Sequence, residues 1–255
     1  MNEHTEDPHR RARRAASFGA KASDYAKHRP DYPESALTWG ISGGLPETGR
    51  VLDLGAGTGK LAEGLVTLGH QVTAVEPDAE MLAELSRRLP GVTALSGTAE
   101  KIPLSDAAVD AVFVGQAFHW FDPLPAMTEI ARVLRPGGTL VLLWNYDDET
   151  VPWIVEFTRL HRATVGQSMA GGGSLPEHSA FEPFEHETFK HAQRRTAETL
   201  VATISTHSHL LVASPEAREK ALQSARDFLT ARPETASGEF DLPLVTYAFR
   251  TPRTA

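Results

Sequence analysis

Residues 51–59 read Val-Leu-Asp-Leu-Gly-Ala-Gly-Thr-Gly, and this stretch decides the fold. Its mostly apolar first part is typical of a short buried strand, and leucines at helical spacing follow it from Lys60 to Leu68. Glycines between a strand and a helix allow a tight turn and a close approach of the backbone to a ligand. The stretch therefore predicts a strand, a ligand-binding glycine loop and a helix.

Strand-like and helical segments alternate on the C-terminal side of this loop. The predicted strands are residues 50–54, 71–76, 92–95, 109–114 and 139–144, and the predicted helices are 60–68, 77–89 and 124–134. Such alternation is typical of a parallel sheet with right-handed crossovers.

The pattern is weaker after Trp144. There we predict helices at 151–165, 197–211 and 215–229, a sixth strand at 185–191 and a last strand at 242–250. We expect an α/β domain with a small helical cap.

The composition excludes several kinds of chemistry. The chain has 255 residues and no cysteine, which removes disulfides, cysteine-ligated metals and thiol nucleophiles. Its net charge of −8 disfavours nucleic acid as a partner, because phosphate-binding proteins usually carry a basic surplus. No run approaches the roughly 18 apolar residues of a membrane span. We expect a cytoplasmic protein, monomeric or homodimeric, with a small-molecule substrate, no membrane association and no bound metal.

The glycine loop is compatible with two kinds of cofactor. A dinucleotide-binding loop has the pattern G-x-G-x-x-G, but Lys60 stands where its third glycine is expected. Asp53 precedes the loop, and a carboxylate there suits an ammonium group better than a pyrophosphate. Glu76 lies at a strand end 19 residues after Gly57, where an acid accepts hydrogen bonds from ribose hydroxyls. The loop therefore favours an adenosine cofactor without phosphates, and a nicotinamide oxidoreductase is the less favoured alternative.

At this point the sequence resembles the class I S-adenosylmethionine-dependent methyltransferases. The matching segments are the glycine motif at 53–59, the acid Glu76, and residues 97–104, 106–110 and 134–138. The resemblance implies a Rossmann-like, seven-stranded, mostly parallel sheet with one reversed strand and helices on both faces. It also implies S-adenosylmethionine as the cofactor.

Two further segments resemble the type 11, trans-aconitate methyltransferase-like subgroup. They are the N-terminal residues 17–33, with Tyr25 and Arg29, and the run from Gln116 to Asp122. In that subgroup the N-terminal segment closes over the cofactor. The resemblance thus implies an arm with cofactor-covering helices at 1–45, a methyltransferase domain at 46–255, and substrate-side cap elements within 151–235.

The site residues follow from the motifs and the resemblance together. The expected cofactor-binding residues are Tyr25, Arg29, Asp53, Gly55, Ala56, Gly57, Glu76, Pro77, Ala99, Glu100 and Gln116. Ala99 and Glu100 are included because Thr98 stands where many relatives carry an aspartate that contacts adenine. His119 is the candidate catalytic base, and the alternatives are that it donates a hydrogen bond to the substrate or packs in the cleft wall. Trp120 and Asn145 are candidate substrate contacts.

The expected activity is methyl transfer to an oxygen, either carboxylate or hydroxyl, of a small molecule. An N- or C-methyltransferase and a non-catalytic cofactor-binding module are the alternatives. A carboxylate acceptor needs no base, whereas a hydroxyl or amine acceptor often does.

Overall fold

The glycine loop follows a buried inner strand of a seven-stranded sheet in the computed structural model. The structure describes residues 29–42, 46, 48–161, 175–205, 210 and 213–254. The strands are β1 Arg50–Leu54, β2 Gln71–Glu76, β3 Thr93–Ser96, β4 Val109–Gly115, β5 Leu134–Asp147, β6 Glu185–Arg195 and β7 Phe240–Pro252. The helices are α1 Glu34–Ile41, α2 Lys60–Thr67, α3 Ala79–Arg88, α4 Pro123–Val133, α5 Pro152–His161, α6 Ala197–Ser205 and α7 Pro215–Thr230.

The strands lie in the order β3-β2-β1-β4-β5-β7-β6. Neighbours from β3 to β5 are parallel, whereas β7 runs antiparallel to both β5 and β6. The mostly parallel seven-stranded sheet with one reversed strand is therefore confirmed. Because β1, β2, β3, β4 and β5 point the same way, the loops that follow them meet at one edge.

Helices cover both faces of the sheet. On one face, Leu37 of α1 and Leu65 of α2 join a buried cluster with Phe113 and Val141 of the central strands. On the other face, Met127 and Ile130 of α4 pack with further side chains of the same strands. A third cluster joins α5, α6 and α7 to the first half of β7. The helices predicted to form the cap thus pack together around an apolar cluster of their own.

The three strands on one side of the sheet are longer than the sequence pattern predicts. We predict strands at 139–144, 185–191 and 242–250, but β5, β6 and β7 have 14, 11 and 13 residues. They are long because β7 pairs with β5 on one side and with β6 on the other. This pairing gives the backbone N–H and C=O groups hydrogen-bond partners even where the strands extend beyond the apolar core. β6 is an edge strand with mostly exposed residues, so its alternation is weak.

One predicted turn is wrong in detail. Residues 135–138, Arg-Pro-Gly-Gly, lie within β5 as an irregularity, where the register against β4 shifts between Val109 and Ala111. Backbone hydrogen bonds from Gly137 and to Gly138 involve Arg253, which keeps this stretch in the sheet. The C-terminal parts of two predicted helices, 162–165 and 206–209, lie outside the described residues.

Candidate active site

The glycine loop is held in a conformation that side chains rarely adopt. Gly55 has a φ of 70° and Gly57 a φ of 55°, both in the left-handed region. A Cβ at Gly55 would also lie 2.7 Å from the Cβ of Ala117, which follows β4. At Gly57 the nearest atom, Sδ of Met81, would be 3.6 Å away, so the backbone angle rather than space requires glycine there. The loop therefore keeps its shape only with these residues.

Asp53 brings a buried carboxylate to the inner side of the loop. Its Oδ2 accepts a hydrogen bond of 2.9 Å from the N–H of Ala62 at the start of α2. Its Oδ1 is buried and has no hydrogen-bond partner in the described part of the chain. Burial raises the pKa of Asp53 to about 7. The hydrogen bond from Ala62 acts in the opposite direction and lowers the pKa, whereas the nearby Glu76 carboxylate makes a smaller contribution that raises it. This carboxylate is thus poised to gain a partner of opposite charge.

Glu76 ties the end of β2 to the glycine loop. Its Oε2 accepts a hydrogen bond from the N–H of Gly57, and its Oε1 accepts one from the N–H of Asp78, both at 2.9 Å. Burial raises the pKa of Glu76, and the two N–H donors oppose this shift. Asp78 in turn caps α3, and Pro77 between them is exposed. Glu76 therefore supports the loop directly, and each of its oxygens keeps acceptor capacity.

The segment that precedes α1 forms one wall of a cleft above the loop. We call residues 29–32 the lid segment. Arg29, Pro30 and Tyr32 line the cleft. Asp31 makes an ion pair with Lys60, whose Nζ lies 2.7 Å from Oδ1. Tyr25, also expected here, lies outside the described residues.

The ends of β4 and β5 form the opposite wall. Gln116 has a φ of 56°, which is unusual for a residue with a side chain. Its N–H donates to the carbonyl of Leu143, and its Nε2 donates to the carbonyl of Asn145 at 2.8 Å. Asn145 Nδ2 donates to the carbonyl of Asp31 at 3.1 Å, so β5 contacts the lid segment directly. These bonds join three distant parts of the chain around the cleft.

His119 and Trp120 lie in a short 3-10 helix, Phe118–Trp120, just after β4. The His119 side chain is exposed, and its ring centroid lies 4.6 Å from that of Trp120. Phe121 packs against the glycine loop, since a Cβ at Gly55 would lie 3.2 Å from its Cζ. His119 and Trp120 therefore lie at the same sheet edge as the cleft, and the His119 side chain faces the solvent.

Ala99 and Glu100 form a turn after β3. Ala99 is buried, and Glu100 Oε1 accepts a hydrogen bond of 2.9 Å from the N–H of Asp122. This bond joins the turn after β3 to the segment after β4.

The cleft gathers seven of the fourteen predicted site residues. It is lined by Arg29, Pro30, Tyr32, Asp53, Gly55, Ala56, Gly57, Thr58, Lys60, Leu61, Gly115, Gln116 and Asn145. The other described site residues do not line it, but they lie at or after the ends of β2, β3 and β4, which meet at the same sheet edge: Glu76, Pro77, Ala99, Glu100, His119 and Trp120.

Six lining residues were not predicted as site residues: Pro30, Tyr32, Thr58, Lys60, Leu61 and Gly115. Thr58 belongs to the glycine motif, and its Oγ1 is buried without a hydrogen-bond partner among the described residues. Its place in the motif was a signal that would have identified it. Lys60 served only as an argument against a dinucleotide.

The ranges that the structure describes contain no group of three or more His, Asp and Glu side chains arranged to hold a metal ion. None of the helices in those ranges combines the length and the apolar character that a bilayer span needs.

Comparisons with known proteins agree with this geometry. A family model described as a methyltransferase domain matches residues 52–142. An uncharacterized methyltransferase of Mycobacterium tuberculosis is 40% identical over 235 residues, which cover 92% of this chain and 94% of that protein. A malonyl-[acyl-carrier protein] O-methyltransferase of Methylococcus capsulatus is 40% identical over 133 residues, 49% of this chain and 48% of that protein.

Solved structures support the same fold. A putative type II methyltransferase from Anaeromyxobacter dehalogenans has a TM-score of 0.67 and 24% identity, covering 88% of this chain and 97% of that one. A phosphoethanolamine N-methyltransferase of Haemonchus contortus, solved with S-adenosylhomocysteine, has a TM-score of 0.57 and 16% identity, covering 100% and 62%. The chain belongs to the class I S-adenosylmethionine-dependent methyltransferases of the type 11 kind, and S-adenosylmethionine is its cofactor.

Proposed function

We propose that the protein transfers the methyl group of S-adenosylmethionine to an oxygen atom, of a carboxylate or a hydroxyl, on a small-molecule acceptor. The observation that carries the methyl-transfer part is the cleft, in which Asp53 Oδ1 and Thr58 Oγ1 are buried without hydrogen-bond partners in the described chain. The oxygen acceptor is supported by relatives named O-methyltransferases, which match about half of this chain.

The residues around the cleft fit this cofactor. The positive-φ glycines let the backbone approach a ligand closely. The Asp53 carboxylate suits the ammonium group of the methionine end, with Arg29, Gln116 and Tyr25 also assigned to that end. Glu76 and Pro77 are assigned to the ribose, and Ala99 and Glu100 to the adenine.

S-Adenosylmethionine, when bound, supplies an electrophilic methyl group on a positively charged sulfur. The contribution of the chain is to hold the acceptor oxygen in line with that methyl group and to exclude water. Alignment of this kind contributes up to roughly 7–11 kcal/mol to lowering the barrier. The lid segment and the strand ends around Asn145 form walls suited to that purpose, and Trp120 is assigned to the acceptor side.

His119 is the candidate base when the acceptor is a hydroxyl. Its exposed position beside Trp120 leaves it accessible to a proton at the mouth of the site. For a carboxylate acceptor no proton has to be removed, so the same side chain would act only as a hydrogen-bond donor. The two acceptor classes therefore predict different effects of changing His119.

The test is incubation of the protein with a metabolite extract and S-adenosylmethionine labelled in the methyl group. We expect labelled small-molecule products that differ from their acceptors by one methyl group. A methyl ester releases labelled methanol in mild alkali, whereas a methyl ether keeps its label, and mass fragmentation identifies N- or C-methyl products. Labelled N- or C-methyl products would contradict an oxygen acceptor, and cofactor binding without any product would favour a non-catalytic module.

The His119 variants are the first mechanistic prediction. With a hydroxyl acceptor, His119→Ala should lower kcat by roughly 10²-fold or more, the usual contribution of a general base. His119→Gln keeps a hydrogen-bond donor but cannot take up the proton, so it should be equally slow. With a carboxylate acceptor, His119→Gln should stay close to the wild type. Wild-type turnover of both variants on a hydroxyl acceptor would remove His119 from the mechanism.

A further inference from the structure

Asn145 is the centre of a chain of buried and half-buried hydrogen bonds that leads away from the cleft. Its Nδ2 donates to the carbonyl of Asp31, which fixes the amide orientation because a carbonyl only accepts. Its Oδ1 therefore faces Thr246, whose hydroxyl lies 2.5 Å away and donates to it. Asn145 thereby links β7 to the lid segment.

The chain continues from β7 to β6. His191 Nε2 lies 3.0 Å from Thr246 Oγ1. Because the single hydroxyl proton of Thr246 is used toward Asn145, His191 donates its Nε2–H to Thr246. The direction of every bond is thus determined, from His191 through Thr246 and Asn145 to the main chain of Asp31. Thr246 is completely buried, so water does not replace a missing link there.

Two other contacts hold the same segment. The Asp31 carboxylate makes its ion pair with Lys60 at the start of α2. The Tyr32 hydroxyl lies against Gly115 at the end of β4, since a Cβ there would be only 2.5 Å from it. The Asn145 bond reaches the main chain of Asp31, so it holds this residue independently of the Asp31 side chain.

We propose that His191, Thr246 and Asn145 form a positioning relay that holds the lid segment, residues 29–32, over the cofactor cleft. The inference deepens the proposed function, because the covered cleft is the proposed cofactor site. Thr246 and His191 do not touch the cofactor in this role; they act through Asn145. Loss of the relay should weaken cofactor retention and leave the sheet intact.

The experiment compares variants of β7 by calorimetry with S-adenosylhomocysteine. Thr246→Val keeps the volume but removes the hydroxyl, leaving Asn145 Oδ1 without its donor. We expect the dissociation constant to rise about tenfold, and Thr246→Ser, which restores a hydroxyl, to bind within about threefold of the wild type. His191→Ala removes only the far link, so its effect should be smaller than that of Thr246→Val.

Thr251→Val is the matched control. Thr251 is also completely buried on β7, and its hydroxyl donates to the carbonyl of Glu182, far from the lid segment. This variant should lose stability and still bind S-adenosylhomocysteine within about twofold of the wild type. Hydrogen exchange in the bound state adds a readout specific to position, since the amides of Arg29, Asp31 and Tyr32 should lose protection in Thr246→Val but not in Thr251→Val.

The outcomes separate the relay from the proposed function. No binding by the wild type would overturn the proposed function itself. Wild-type binding with unchanged affinity in Thr246→Val would overturn only the relay. Equal weakening in Thr251→Val, or no rescue by Thr246→Ser, would show general destabilisation and would also overturn the relay.

Discussion

Asp53 shows how much one residue depends on its position. As the first residue of the glycine motif it is an acid on a buried strand, and only one of its two carboxylate oxygens accepts a hydrogen bond from the described residues. Burial raises its pKa to about 7, well above the usual range of aspartate. Burial alone therefore disfavours its charged form, and an ammonium partner would reverse that preference.

This shift predicts a pH dependence of stability without cofactor. Because the folded pKa of Asp53 lies above its unfolded value, the native state holds a proton that the unfolded state has released between about pH 4 and pH 7. The free energy of unfolding should thus fall as pH rises through that window. Between pH 5 and pH 8 the ionisation of Asp53 should lower the free energy of unfolding by about 2–3 kcal/mol.

Denaturant unfolding of the wild type and of Asp53→Asn across that pH range measures the effect. The asparagine variant cannot ionise, so its stability curve should lack this part of the decline. The difference between the curves isolates Asp53 from Glu76, whose pKa is also raised. Parallel curves would show that Asp53 ionises normally in the folded protein.

At the scale of single elements, the turn before β4 carries avoidable backbone strain. Ala107 has a φ of 52°, in the left-handed region where a Cβ costs roughly 1–2 kcal/mol. Arg132 of α4 anchors the adjoining residues through the Leu104 carbonyl and the Asp106 carboxylate. The Ala107 N–H itself donates to the Arg132 carbonyl. The turn is therefore fixed by tertiary contacts rather than by its own preference.

Ala107→Gly should consequently stabilise the protein. Glycine adopts this φ without strain, and part of the gain is offset by its greater freedom in the unfolded chain. We expect the free energy of unfolding to rise by about 0.5–1 kcal/mol, with affinity for S-adenosylhomocysteine unchanged. Chemical denaturation of both proteins measures it. A loss of stability would mean that the turn does not hold this conformation.

The same scale shows what the sequence predicts well. The strands and helices between residues 50 and 133 match closely, because each combines an apolar period with glycine, proline or a capping residue. β6 was predicted short because an edge strand leaves few apolar positions. The antiparallel pairing that extends β5 and β7 has no local signal, since it depends on residues about one hundred positions apart.

The same distinction between local sequence signals and long-range contacts applies to the site. Arg29, Asp53, Gly55, Ala56, Gly57, Gln116 and Asn145 were predicted from motifs and line one cleft. The Lys60–Asp31 ion pair and the Thr246–Asn145 bond were not predicted, because each connects positions far apart in the sequence. The separation is 29 positions for the ion pair and 101 positions for the hydrogen bond. Motifs indicate which residues lie near a ligand, whereas the contacts that hold those residues in place arise only in the fold.

At the scale of the whole molecule, the cleft is built by parts that the unfolded chain does not bring together. β1, β4, β5 and the lid segment each contribute to its walls. A ligand of this cleft therefore binds the native state alone and stabilises it by mass action.

S-Adenosylhomocysteine should accordingly raise the melting temperature. At a hundred times its dissociation constant it adds about 2.7 kcal/mol, which for a chain of this size corresponds to about 5–10 °C. Scanning fluorimetry measures the shift. Gly57→Val is the control, because a β-branched residue is strongly disfavoured at a φ of 55° and would distort the loop. An equal increase in the melting temperature of that variant would mean that the ligand binds elsewhere, since binding outside the glycine loop would not be affected by the substitution.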